Sequence, residues 1–238
     1  MKATWKWRVV AIVVLVGAAW LLHAPLFRAV ARPLIVEQAS NDFNYIGIIT
    51  GVYGPDGDRC YDVATTLAGE NGHCRLLLIG AGKSRLTEVG ALPPFGQSEQ
   101  SLLARRGVPA SAIVTVSGNG DSDWSVSQTL GVWLRDHRDA RVLLLCSAFH
   151  SAHLRDALDA ALAPSQSARV WIRPLRDRRF NETNWWQCRA GFRQFGIAWL
   201  IRLQGWLGGG RVVQPEQASA DHYERDFRDM RRSLGLGS

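Results

Sequence analysis

Lysine is almost missing from this chain. Lys2, Lys6 and Lys83 are the only three, although 28 basic residues stand against 21 acidic ones and the formal net charge is +7. The positive charge is therefore mostly arginine charge. It suits anionic partners such as membrane surfaces, phosphates or nucleic acid, without choosing among them. Cysteine is scarce as well: Cys60, Cys74, Cys146 and Cys188 have no spacing that resembles a metal knuckle. Cys60 and Cys74 fall near opposite ends of one expected helix, which makes a bridge between them geometrically hard. Cys146 reads as a buried strand residue. No G-x-S-x-G elbow occurs, so an α/β-hydrolase triad has no nucleophile. Gly80-Ala81-Gly82-Lys83-Ser84 imitates the end of a phosphate-binding loop, but the first glycine of that motif would have to replace Leu77. Leu77 lies inside an apolar strand, so the loop is too short to wrap a phosphate chain, and a nucleoside triphosphatase is excluded. A dinucleotide fingerprint fails for want of its third glycine, where Arg85 stands.

What is present begins at the N-terminus. Lys2, Lys6 and Arg8 precede nineteen residues, Val9 to Phe27, without a charged side chain. About 20 apolar residues span a bilayer core, so this is the expected single transmembrane helix, with Trp5, Trp7 and Trp20 near the interfaces. A cleaved signal peptide is the alternative, because Val9 to Leu22 has the length of an h-region and Ala29-Val30-Ala31 resembles a cleavage site. Both readings export the body. The flanking charge bias is slight but places the N-terminus in the cytoplasm. The expected organisation is an anchor at 1–30, a linker at 31–43, an α/β domain at 44–207 and a charged tail at 208–238.

Within the domain, short apolar runs alternate with helical patterns. Strands are expected at Asn44 to Val52, Arg75 to Ile79, Ala112 to Val116, Val142 to Leu145 and Ala168 to Ile172. Helices are expected at Cys60 to Glu70, Gln97 to Arg106 and Asp123 to Asp136, and after Ser147, which is placed as an N-cap. This alternation predicts a Rossmann-like parallel sheet of about five strands with helices on both faces. The expected strand order is 3-2-1-4-5, with a ligand crevice between the first and fourth strands. Gly51 to Arg59 would then face Ser147 to His153 across it. Trp185, Cys188, Phe192, Phe195, Trp199, Leu203 and Trp206 recur at helical steps and predict one long amphipathic helix. That helix is expected to pack on the domain, while arginines beside its tryptophans leave a membrane-interface role open.

The turn after the fourth strand carries Ser147, His150 and His153, with Arg155 beyond. Strand ends and helix N-termini form the crevice of such folds, which puts His150 where chemistry usually occurs. A histidine merely packed at a helix start is the plain alternative. His150 and His153 share a helix face, but no third ligand of the right kind is indicated, so no metal site is expected. Lys83 or Arg85 could meet an anion at the crevice. Arg59 could instead pair only with Asp56 or Asp58, and Glu99 could merely favour its own helix N-terminus.

The motifs taken as an ordered set go further. Gly51 and Gly54 end the first strand and Arg59 opens the next helix. Gly80 and Gly82 end the second strand. Ser98-Glu99 opens the following helix, Gly107-Val108-Pro109 precedes the third strand, and Ser147-Ala148-Phe149-His150 follows the fourth. Over roughly residues 44 to 205 the chain resembles the ElyC/SanA/YdcF family, also known as domain of unknown function 218. The resemblance implies a Rossmann-like domain carried on a bacterial inner-membrane anchor, facing the periplasm or cell exterior and serving envelope and cell-wall biogenesis. It implies an anionic envelope precursor as ligand, on a wall or lipid carrier. Arg59 and Lys83 would hold the anion, assisted by the helix end near Ser147. His150 would act as general acid or base and Glu99 would orient it. His153 occupies the position where relatives usually carry an arginine, with Arg155 nearby, and Asp121 to Gln128 replaces an Asn-Thr-x-x-Asn-like patch. These departures leave a non-enzymatic binding module or scaffold as the alternative. No cofactor, protein partner or nucleic-acid partner is indicated.

Overall fold

A computed structural model describes residues 23–38, 40–49, 59–81, 96–118 and 122–207. Five strands form one all-parallel sheet: β1 (Tyr45–Ile49), β2 (Arg75–Ala81), β3 (Ile113–Gly118), β4 (Val142–Ser147) and β5 (Val170–Leu175). Their order is β3-β2-β1-β4-β5, as the alternation of strand and helix patterns predicts. Helix α1 covers residues 23–31. It is followed by α2 (Arg59–Glu70), α3 (Gln97–Arg105), α4 (Asp123–Asp136), α5 (Ser151–Ala161), the one-turn α6 (Pro164–Ser167) and α7 (Arg189–Trp206).

The strands read as unbroken apolar runs because both faces of the sheet are covered. Alternate residues feed two cores. Ile46, Ile48, Leu76, Leu78, Leu143 and Leu145 meet α2 and α3 through Cys60, Ala64, Leu67 and Leu103. Leu77, Ile79, Val142, Leu144 and Cys146 meet α4 and α5 through Val126, Leu130, Leu134, Leu154 and Leu158. Gly47 pairs with Leu144 in register, and a side chain at Gly47 would run into that leucine. Gly107 ends α3 with φ 84°. Its N–H reaches the Ala104 carbonyl, and Val108 N–H reaches Leu103, the paired bonds of a Schellman turn.

Several boundaries differ from those read from the sequence. β5 begins two residues later than expected, because Ala168 is held in helical conformation as the C-cap of the one-turn α6, and it continues through Pro174. Arg173 to Leu175 extends the strand beyond its expected end at Ile172; β5 is an edge strand, where proline is tolerated. β3 begins after a 3₁₀ turn at Ala110–Ala112. Ser147 caps no α-helix: its side chain makes no capping bond, and a 3₁₀ turn (Ala148–His150) intervenes before α5. The long amphipathic helix is broken at Cys188. Trp185–Gln187 is a 3₁₀ turn, Cys188 is extended, and its Sγ accepts from Gly191 N–H to start α7.

Residues 31–38, read as linker, are packed. Ala31 and Leu34 are buried, Val36 N–H donates to Ser151 Oγ at 2.8 Å, and Gln38 N–H donates to the Ile172 carbonyl. They join a third cluster with Phe149, Phe180 and Trp185. None of the four cysteines is in a disulfide. Most of Val9 to Phe27 lies outside the described residues. Among the described residues no helix is long and apolar enough to cross a membrane.

Candidate functional site

The carboxyl edge of β4 and the N-terminus of α4 meet at one carboxylate. Ser122 accepts from Ser125 N–H through its Oγ at 3.2 Å, and Ser125 Oγ accepts in return from Ser122 N–H. This capping box fixes the first turn of α4, and Asp123 is its first residue. The helix dipole favours a negative charge there. Asp123 is only 2% exposed, so its charge must be met by protein groups.

Those groups are the two histidines. His150, the last residue of the 3₁₀ turn, donates from Nε2 to Asp123 Oδ1 at 2.9 Å. Oδ2 lies at 2.8 Å from the same nitrogen but lacks hydrogen-bond geometry and has no hydrogen-bond partner among the described residues. The proton is therefore directed at Oδ1, and the shorter distance is charge proximity. His153 Nε2 stands 3.3 Å from Oδ2. The two imidazoles lie edge to face, 5.6 Å apart.

Burial pushes the His153 pKa down, partly offset by Asp123 and reinforced by His150. The balance favours the neutral form of His153. Burial, with Asp123 adding to it, raises the Cys146 thiol far above its ordinary range. Cys146 is consequently no nucleophile, since the thiolate is the reactive form. Both Nε2 atoms turn toward Asp123, and among the described residues no group of three or more His, Cys, Asp and Glu could hold a metal ion. Chemically, a buried carboxylate that accepts a hydrogen bond from Nε2 of a histidine sets the tautomer and orientation of the ring. That is the arrangement of a general acid–base pair.

The turn is held from outside by aromatic packing. Phe149 stacks on Phe180 at 6.0 Å and meets Phe195 edge-on at 6.2 Å. Ser151 Oγ donates to the Ala148 carbonyl at 2.7 Å. His150 is therefore bracketed by an anchored phenylalanine and an anchored serine.

The other residues singled out in the sequence are dispersed. Arg59 starts α2 and gives its guanidinium to the Arg176 carbonyl beyond β5. Glu99 sits in the first turn of α3, whose Leu103 packs on the opposite face of the sheet from α4 and α5. The carboxylate paired with His150 is Asp123, so the orienting role assigned to Glu99 falls to Asp123. Gly80 lies within β2 opposite Ser117, and Ser147 ends β4 opposite Leu175. Arg155 is buried in a bidentate pair with Asp159, with Ser167 beside it and the Val170 carbonyl at 3.0 Å. It ties α5 to α6 and β5 and does not join the histidine cluster. Gly51, Gly54, Gly82 and Lys83 lie outside the described residues.

Asp123 is the residue that sequence reasoning missed. Ser122-Asp123-Trp124-Ser125 announces a capped helix, and an acid in the first turn has an ordinary explanation in the dipole. Only the placement of β3 and β4 on either side of β2 and β1 shows that its side chain turns inward to His150. Comparison of the chain with protein-family models, with curated proteins and with solved structures finds no match.

Proposed function

We propose that this chain is a membrane-anchored, exported α/β domain of the bacterial cell envelope. It acts on an anionic or phosphorylated wall or lipid-carrier intermediate at the carboxyl edge of β4. The single observation that carries the reading is the 2.9 Å bond from His150 Nε2 to the buried Asp123. Holding a carboxylate out of water against a histidine is costly unless the pair is used or satisfied, and one oxygen of Asp123 has no hydrogen bond among the described residues. His150 moves the proton, Asp123 orients it, and His153 stands beside Asp123 as a neutral group. Residues 9–27 supply the anchor, and the arginine-borne charge suits an anionic ligand.

A second reading is a binding module without turnover. It draws support from Arg59 and Arg155, which both spend their guanidinium groups on protein acceptors and leave less charge for a substrate. One experiment separates the two. Full-length protein in detergent is screened by thermal shift against sugar phosphates, polyprenyl phosphates, nucleotides and wall fragments, and ligands that stabilise it are followed for turnover. The enzyme reading expects turnover that collapses in His150→Ala and Asp123→Asn, with the wild-type shift largely kept. A shift without turnover in the wild type leaves the binding module. No shift with any of these ligands contradicts both.

A further inference from the structure

Helix α7 points much of its apolar surface away from the domain. Its inner side packs on the aromatic layer through Phe195, Ala198 and Trp199, and Gly191 is its one buried residue. Phe192, Leu200, Leu203 and Leu207 recur at eight-, three- and four-residue steps, which places them on one other face. They are 64%, 67%, 42% and 86% exposed, with Trp206 beside them at 65%. Isolated apolar side chains on a surface are ordinary, but a continuous stripe on one helix marks an interaction face.

Charge and chain path select the occupant. α7 contains Arg189, Arg193 and Arg202 and no acidic residue. Arg189 and Arg193 are exposed and line, with Trp186, Cys188 and Phe192, a shallow groove of about 490 Å³. Arg202 lies over the Trp206 ring at 5.7 Å. The helix is also tied to the chain that emerges from the expected anchor. Trp185 Nε1 donates to the Phe27 carbonyl at 3.2 Å and Trp199 Nε1 to the Val30 carbonyl at 3.1 Å. On α1, Leu26 and Val30 are exposed like the α7 stripe, and Arg28 and Arg32 add exposed positive charge.

We infer that α7 lies on the surface of an anionic phospholipid bilayer. The Phe192–Leu200–Leu203–Leu207 face enters the acyl boundary and the exposed Arg189 and Arg193 meet phosphate headgroups, while Arg202 is paired with Asp156. An amphipathic helix with aromatic and leucine residues on one side and arginines at its flank binds in this way. The domain is then held at two points, by residues 9–22 and by α7, which fixes its orientation on the membrane. The inference rests on the anchor reading for proximity and is independent of the chemistry of His150.

The test uses the full chain in vesicles of phosphatidylcholine with phosphatidylglycerol, containing a phospholipid that carries a photoreactive diazirine on its acyl chain. Adducts are mapped by mass spectrometry. The expected result is labelling within 192–207 as well as within 9–22. Leu200→Asp combined with Leu203→Asp removes the former, keeps the latter and leaves the melting temperature in place, since both side chains are exposed. Arg189→Glu with Arg193→Glu lowers labelling of 192–207 severalfold in the anionic vesicles and leaves it unchanged in phosphatidylcholine alone. Absence of adducts in 192–207 overturns the inference, whatever residues 9–22 show. So does protein–protein cross-linking of α7 to a second copy in place of lipid. Labelling of 192–207 without labelling of 9–22 upholds the membrane face and removes the anchor.

Discussion

The sheet and the aromatic layer are two apolar bodies built on different plans. Around the sheet both faces of the central strands are covered by helices, and residues such as Leu77, Leu78, Leu130, Leu144 and Leu145 are fully buried. The filling is aliphatic and closed on itself. The aromatic layer contains five buried residues, Ala31, Leu34, Phe149, Phe180 and Trp185, while Phe195 and Trp199 are only partly covered. Its outermost member, α7, leaves a whole face open. Among the described residues the first body is closed, whereas the α7 side of the second is left open. The histidine cluster sits at their joint, because Phe149 belongs to the aromatic layer while Asp123 begins the helix that covers the sheet.

Substitutions should expose this contrast, and the largest effect belongs to the closed core. Leu130→Ala should cost about 3 kcal/mol, since a cavity in a close-packed interior relaxes only in part. Urea denaturation reads this directly, and a loss below about 1 kcal/mol would mean that the face is loosely packed. Asp123→Ala comes next. His150 loses its acceptor and His153 the carboxylate beside it, and a loss of about 2 kcal/mol is expected from an unpaired buried polar group. Asp123→Asn should cost less stability while still abolishing any turnover.

A third effect is a slope rather than an offset. The His153 pKa lies below its ordinary value of 6.5 in the folded protein, mainly through burial. Between the folded value and 6.5 the unfolded chain binds more protons, so stability falls as pH drops through that window and levels off below the folded value. His153→Gln should flatten this part of the stability–pH curve. An unchanged curve would show that His153 is not desolvated. The smallest effect is on the open face: Leu200→Ser should change the stability of the protein in detergent by less than about 0.5 kcal/mol, although it weakens contact with lipid. A larger loss would place that face inside the fold.

Much of the sheet was legible because its signals are local. Apolar runs of five or six residues between capped helices specify strands and their parallel order, and Asp123–Asp136 falls at the expected residues. The errors have physical causes. Pro164 can begin a helix turn as easily as it can break one, which shifted the start of β5. Cys188 can cap a helix with its thiol, which divided the long helix. The site was half legible. His150 follows from the rule that ligands gather at strand ends, but its partner depends on the non-local sheet order. Glu99 and Asp123 are both acids in a first helical turn, and nothing in their immediate neighbours says which one turns toward the histidine. Arg155 misled because charge near a strand end looks like a ligand site until its acceptors, Asp159 and the Val170 carbonyl, are seen.

The central claim is that Asp123 accepts a hydrogen bond from His150 Nε2 and so fixes the tautomer of the ring. Long-range proton–nitrogen correlation of the His150 ring, in full-length protein at a pH where the ring is neutral, tests it most directly. The account predicts a proton resident on Nε2 in the wild type, with the Nε2 resonance displaced in Asp123→Asn. A neutral ring protonated on Nδ1, or a spectrum indifferent to the loss of the carboxylate, would contradict it.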